Sequence, residues 1–151
     1  MAEFYVSVSN ERLAEQVASL INNYNGWYTR FSQKFILFNP ARYFLEIEND
    51  TVVGCAAYIQ ENNKFTKIQH VCVLPNKRRK GIAKKLVKLA VENATTDYVY
   101  MTIHESNIPS LRMAESLGFT CIHKSWFRDH WTLTFGRSRY YDRSRYAAAR
   151  N

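Results

Sequence analysis

The segment Arg78-Arg79-Lys80-Gly81-Ile82-Ala83 is the part of this 151-residue chain best suited to chemistry. Three cations precede a glycine, and an amphipathic pattern begins at once. Apolar residues fall at Ile82, Leu86, Leu89 and Ala90, while Lys84, Lys85, Lys88 and Glu92 lie elsewhere on the helix. The start of a helix presents backbone N–H groups without intrahelical partners and a partial positive charge, so it attracts phosphate. Gly81 lets the backbone approach a ligand closely, and small Ala83 keeps the first turn open. Taken alone, the segment also reads as a solvated basic turn before an ordinary helix.

The net charge of +8 is unevenly spread. Residues 137–151 hold five arginines (Arg137, Arg139, Arg143, Arg145, Arg150) against Asp142 alone, which is half the total charge. The second concentration is Lys77 to Lys80 with Lys84, Lys85 and Lys88. Two such clusters favour phosphate-bearing or polyanionic ligands. The tail Arg137 to Tyr146 also interleaves cations with rings, the pairing that nucleic-acid ligands use. Trp126, Phe127, Arg128, His130 and Trp131 form another aromatic and basic group. Cys55, Cys72 and Cys121 are far apart in apolar stretches, which predicts reduced thiols, no zinc site and a cytoplasmic setting. No apolar run is long enough for a membrane span, and no secretory signal is visible at the start.

Several elements must position the basic segment. A short strand is predicted over Phe4-Tyr5-Val6-Ser7-Val8, then a helix capped by Ser9 or Asn10, with Leu13, Val17, Leu20 and Ile21 on its apolar face and Asn22 to Gly26 at its end. Residues 27–38 suggest a second short helix, broken at Asn39-Pro40. Tyr43–Glu48, Thr51–Gln60 and Phe65–Leu74 read as strands joined by turns too short for crossovers, hence an antiparallel meander. After the helix from Ile82 come a strand at Tyr98–Ile103, a helix from Pro109 to Leu117 stopped by Gly118, and a strand pair at Phe119–Lys124 and Trp131–Phe135. The fold class is α/β (α+β), a mixed sheet with helices on its faces. Residues 1–136 form one domain, and 137–151 a basic aromatic tail.

Val73 to Leu86 resembles the acetyl-CoA motif of the GNAT superfamily: Arg or Gln, two residues, Gly, one residue, then Gly or Ala. Arg78, Gly81 and Ala83 fill its fixed positions, between a fourth strand and a third helix. Asn107, Ser110 and Ala114-Glu115-Ser116-Leu117-Gly118-Phe119 resemble a second signature, Asn…Tyr-x-x-x-Gly-Phe. The resemblance implies a mostly antiparallel sheet flanked by about four helices and splayed between its fourth and fifth strands. It implies acetyl-CoA or another acyl-CoA as co-substrate. Pantetheine would bond the backbone of Val71 and Val73. The pyrophosphate would sit on the amides of Arg79, Lys80, Gly81, Ile82, Ala83 and Lys84. The acyl carbonyl would be polarised near Cys72 or Val73, and Asn107, with Ser110, would contact the cofactor arm.

The implied activity is direct transfer of an acyl group to an amine acceptor, with a base and an acid to move protons. The sequence departs from the family where these groups are expected. The family's acid, a Tyr, corresponds to Ala114, and Tyr100, Tyr140 and Tyr141 are the substitutes. The usual Glu of the fourth strand is absent, which leaves His70 and His104 as bases, with Glu46, Glu48 and Glu61 as weaker candidates. The acceptor is a small molecule, a protein or a nucleic acid. The charge distribution favours, as an alternative, an enzyme acting on charged tRNA or a DNA base. A module that binds CoA without turnover is the other alternative, consistent with Ala114. Many relatives pair through late strands, which would make this chain a homodimer.

Overall fold

A computed structural model describes residues 2–4, 10–25 and 30–140. The expected strand residues Tyr5 to Val8, the turn residue Gly26 and the tail from Tyr141 onward lie outside the described residues. The chain divides into two compact units: residues 1–59 with 68–93, and residues 60–67 with 94–151.

In the first unit the strands lie in the order β1 (Ala2–Phe4), β2 (Arg42–Glu48), β3 (Thr51–Gln60) and β4 (Phe65–Val73). Both β1 and β3 pair antiparallel with β2. The β2–β3 turn places Asn49 and Asp50 at φ 49° and 60°. Two consecutive left-handed residues match the right-handed twist of a tight hairpin, and among residues with a side chain Asn and Asp tolerate them best. Helix α1 (Glu11–Tyr24) buries Ala14, Val17, Ala18, Leu20 and Ile21, the apolar stripe of its sequence. Its Gln16 clamps the hairpin: the side chain accepts the Val52 N–H at 2.8 Å and donates to the Asp50 carbonyl at 3.2 Å.

Helix α2 (Gln33–Phe38) starts later than the sequence suggests. Ser32 Oγ accepts the Phe35 N–H at 3.0 Å, and that N-cap fixes the first turn. The core of this unit joins the α1 stripe to Ile36 and Leu37 of α2 and to Tyr43, Leu45, Val52, Cys55, Ala57 and Cys72 of the strands. Helix α3 (Ile82–Asn93) buries Ile82, Leu86, Val87, Ala90 and Val91.

In the second unit the order is β4, β5 (Tyr98–His104), β7 (His130–Ser138) and β6 (Thr120–Phe127). The first residues of β4 pair parallel with β5, from Phe65↔Tyr98 to Lys67↔Tyr100. β7 is antiparallel to both β5 and β6. β6 and β7 run longer than the sequence suggests. Trp126↔Trp131 and Phe127↔His130 extend their ladder to a two-residue turn, where Arg128 takes φ 58°. The mixed polarity of Ser125 to His130 hid this extension, because pairing rather than alternation sustains it. Helix α4 (Ile108–Ser116) ends before Gly118 at φ 84°, the left-handed stop that glycine allows. No helix among the described residues is long and apolar enough to cross a membrane.

A buried polar relay locks the start of β4 to β5. Thr66 and Thr96 are almost fully buried, their hydroxyls 2.6 Å apart, and Thr96 Oγ1 donates to the Tyr98 carbonyl at 2.9 Å. Thr96→Val therefore strands both the Thr66 hydroxyl and that carbonyl. Urea denaturation is expected to show a loss of about 1–3 kcal/mol; an unchanged midpoint would contradict the relay.

Candidate functional site

The joint between β4 and α3 is built from local rules. Leu74 N–H bonds to the Val53 carbonyl at 2.9 Å and holds the end of β4 in place. Pro75–Lys77 then form one 3-10 turn. Arg79 and Gly81 follow in left-handed conformation, at φ 63° and 77°. The first bond into α3 runs from Lys85 N–H to the Gly81 carbonyl at 3.0 Å. The amides of Ile82, Ala83 and Lys84 precede that bond and form the open end of the helix. A Cβ at Gly81 would meet nothing within 4 Å, so the backbone angle, rather than crowding, calls for glycine there.

The cations around this joint divide into two groups. Lys77 binds Glu48 at 2.7 Å, and Lys85 lies 3.6 Å from Glu46. The Lys77 hydrogen bond holds the Glu48 carboxyl below the usual range. These two glutamates, weaker base candidates in the sequence, face lysines instead. Arg78 Nε donates back to the Val73 carbonyl at 3.1 Å, which ties the guanidinium to the end of β4. Arg79, Lys80 and Lys84 point into solvent. Full charges and helix-end amides thus lie together over six consecutive residues.

Cys72 is buried and its thiol donates weakly to the Leu20 carbonyl at 3.6 Å. Burial pushes this thiol up to about 11, and Cys55 likewise well above its ordinary value. Val71 is half-buried and Val73 buried, so Cys72 and Val73 offer backbone rather than reactive side chains. Native alkylation at pH 8 is expected to label exposed Cys121 and spare Cys55 and Cys72, with all three labelled in denaturant. Intact-mass spectrometry reads this directly, and rapid native labelling of a second cysteine would contradict the burial.

His70 takes φ 54° within β4, an uncommon conformation for a strand residue. Its ring lies 4.8 Å from Phe31, 5.8 Å from Tyr43 and 6.4 Å from Phe35. Its Nδ1 is 2.7 Å from the Tyr43 hydroxyl, which also accepts from Asn39 at 3.3 Å. Burial raises Tyr43 far above the ordinary phenol value, so that hydroxyl stays protonated. Tyr43 and Phe31 carried no sequence signal of this role, because residues 27 to 39 distant from His70 meet it only through packing.

In the second unit, Tyr100 donates to Glu61, and burial together with that carboxylate pushes its phenol far up. Tyr100 is thus a held, protonated hydroxyl and Glu61 its acceptor. His104, at the end of β5, receives the Ser106 N–H on Nδ1 at 3.0 Å. Asn107 is the N-cap of α4, and its Oδ1 accepts the Ser110 N–H at 3.3 Å. That bond brings together two residues paired only by a sequence signature. Ala114 is fully buried in α4. Tyr140 is exposed and bonded to Arg139, while Tyr141 lies outside the described residues. Two tail arginines serve structure, since Arg137 donates to the Leu117 carbonyl and Arg139 to the Ala94 carbonyl at 3.1 Å. At the β6–β7 turn Asp129, which the sequence reading left out of its aromatic and basic group, lies 3.0 Å from His130 Nδ1. Its adjacency at a hairpin tip was the available signal.

The element order, the basic joint before α3 and the Asn-capped α4 define an α/β fold of the acetyltransferase class. The model of the acetyltransferase (GNAT) family matches residues 11–119, and the chain belongs to that family. A curated relative, the chloroplastic GCN5-related N-acetyltransferase 6 of Arabidopsis thaliana, is 27% identical over 95 residues, covering 57% of this chain. The matched region spans 33% of that relative's length. Among solved structures, an aminoglycoside 6'-N-acetyltransferase complexed with coenzyme A is similar at TM-score 0.76 and 13% identity, over 94% of this chain and 99% of that one. A ribosomal-protein-alanine N-acetyltransferase from Brucella melitensis is similar at TM-score 0.72 and 17% identity, over 91% and 99% of the two chains. At these identities the likeness is one of fold.

Proposed function

We propose that this protein is an N-acyltransferase that uses an acyl-CoA, acetyl-CoA by preference, and passes the acyl group directly to an amine. The observation that carries the reading is the amino end of α3. Glycine at φ 77° opens it, Arg79, Lys80 and Lys84 surround it with exposed charge, and it lies within the residues that the family model matches. The residues fit a pyrophosphate: the amides of Ile82 to Lys84 donate hydrogen bonds, and the open space beside Gly81 admits an anion to the backbone. The backbone of Val71 and Val73 is suited to hold an extended amide-bearing arm. A backbone N–H near Cys72 or Val73 would polarise the thioester carbonyl.

Proton handling falls to other groups than the family's tyrosine, since Ala114 carries no hydroxyl. Tyr100, with its firmly held proton, is a candidate acid, and His70 and His104 are candidate bases. The acceptor is an amine of a small molecule, a peptide or a nucleic-acid conjugate.

Thiol release from acetyl-CoA, measured against spermidine, kanamycin and a peptide with a free α-amine, tests the activity. Acceptor-dependent release is expected. Binding of acetyl-CoA by titration calorimetry with no release across these amines would leave a cofactor-binding module instead. No binding at millimolar acetyl-CoA would remove the reading altogether.

A further inference from the structure

His70 takes positive φ inside a strand, whereas Asn49, Asp50, Arg79 and Arg128, the other described residues with a side chain at positive φ, sit in turns. At φ 54° the conformation is unfavourable for a residue with a Cβ and needs support from its surroundings. The support comes through the side chain. The Tyr43 hydroxyl lies 2.7 Å from His70 Nδ1, and the Tyr43 ring stacks on the imidazole at 5.8 Å and 27°. Phe31 packs on the imidazole at 4.8 Å. Tyr43 has no room to move aside, because it is fully buried and Asn39, at the end of α2, donates to its hydroxyl at 3.3 Å. Asn39 is itself fixed, since its Oδ1 accepts the Ala41 N–H at 2.8 Å.

The consequence falls on the next three residues. A regular strand turns successive peptide groups to alternate edges, and a left-handed residue breaks that alternation and re-aims the chain beyond it. At this point in β4 the His70 carbonyl accepts a side chain, the Cys55 thiol at 3.1 Å. The strand is anchored to β3 again at Leu74, whose N–H meets the Val53 carbonyl at 2.9 Å. On the other edge the ladder to β5 ends at Lys67↔Tyr100. Val71, Cys72 and Val73 thus lie between an irregular residue and a fixed one, and the direction of their peptide groups follows from the backbone of His70.

We propose that Tyr43 is a positioning residue for acyl transfer: its hydroxyl holds His70 in the left-handed conformation and so aims the backbone of Val71 to Val73 at the thioester. The proposal rests on the acyl-transfer reading, in which a backbone N–H near Cys72 or Val73 polarises the thioester carbonyl. Tyr43 touches no substrate in this role. It acts through His70, whichever ring nitrogen of that residue carries the proton. The buried hydroxyl at the end of α2 thereby sets how well the strand polarises the carbonyl, because a donor aimed away from the oxygen loses most of its effect.

Infrared difference spectra of acetyl-CoA labelled with carbon-13 at the thioester carbonyl test this on the full chain. Binding to the wild type is expected to move the carbonyl band to lower frequency, since a hydrogen bond polarises it. Tyr43→Phe, which removes only the hydroxyl, is expected to lose about half of that shift or more, with acetyl-CoA affinity by calorimetry near the wild-type value. His70→Gly needs no support at positive φ and is expected to keep the shift, and adding Tyr43→Phe to it is expected to change nothing further. His70→Val, for which positive φ is an outlier, is expected to lose the shift. A full shift in Tyr43→Phe overturns the proposal alone. So does an equal loss when Tyr43→Phe is added to His70→Gly, because a merely structural hydroxyl acts alike in both backgrounds. Should Tyr43→Phe fail to fold, His70→Gly against His70→Val decides, and equal shifts in the two overturn the proposal. Acetyl-CoA bound to the wild type with an unshifted carbonyl removes the backbone role of Cys72 and Val73 as well, and no binding at millimolar acetyl-CoA removes the acyl-transfer reading.

Discussion

Gly81→Glu is expected to weaken acetyl-CoA binding by about 100-fold or more in calorimetry, the largest single effect at the proposed cofactor site. Two causes act together. A carboxylate would stand beside the amides proposed to face the pyrophosphate, and like charges about 4 Å apart repel by roughly 4 kcal/mol near a protein surface before salt screening. The residue must also hold φ 77°, which costs a residue with a side chain about 1–2 kcal/mol. Gly81→Ala separates the causes. It carries the strain without the charge, and since a Cβ there meets nothing within 4 Å it adds no clash. It is expected to lower stability by about 1–2 kcal/mol and to change affinity far less than the glutamate. Equal affinities for Gly81→Ala and Gly81→Glu would show that no anion sits at this helix end.

Gly54→Ala is expected to destabilise the fold by about 1–3 kcal/mol and to reduce acetyl-CoA affinity several-fold. Gly54 lies in β3 beneath α3. A Cβ there would come within 2.8 Å of Ile82 Cγ2, and within 3.4 Å of Leu86 Cδ1 and Val73 Cγ2. Ile82 is buried and β-branched, so its χ1 offers little escape, and it opens α3. The strain must therefore move the helix end proposed to face the phosphates. A double-mutant cycle with Ile82→Ala checks the contact. Ile82→Ala alone costs about 2–4 kcal/mol, and the double variant is expected to recover about 1 kcal/mol or more relative to additivity. Strict additivity in denaturant melts would mean that the two residues do not touch.

Both predictions concern one helix end, yet its parts were legible to different degrees. Cations, glycine and an amphipathic run are local features, and a phosphate-binding helix start is a local structure. The sequence therefore determined a cationic joint that leads into a helix from Ile82, and its phosphate-binding role remains the proposal. It also determined the β2–β3 hairpin, through Asn49-Asp50, and the close of α4, through Gly118, because backbone preference at one or two residues decides each turn. The resemblance at residues 78–83 and 107–119 added the family, which the match over residues 11–119 bears out.

What only the tertiary structure decided depends on residues far apart in the chain. Gly54 has a purpose only because Ile82 lies over it. Glu46 and Glu48 looked like free carboxylates until Lys85 and Lys77 were placed beside them. The setting of His70 comes from Phe31, Phe35 and Tyr43 on other elements. The ring contact between His104 and His130 depends on two elements that fold together, and residue spacing does not encode that. Local propensity fixes elements and their ends. Packing fixes partners, and the direction of a proton depends on partners.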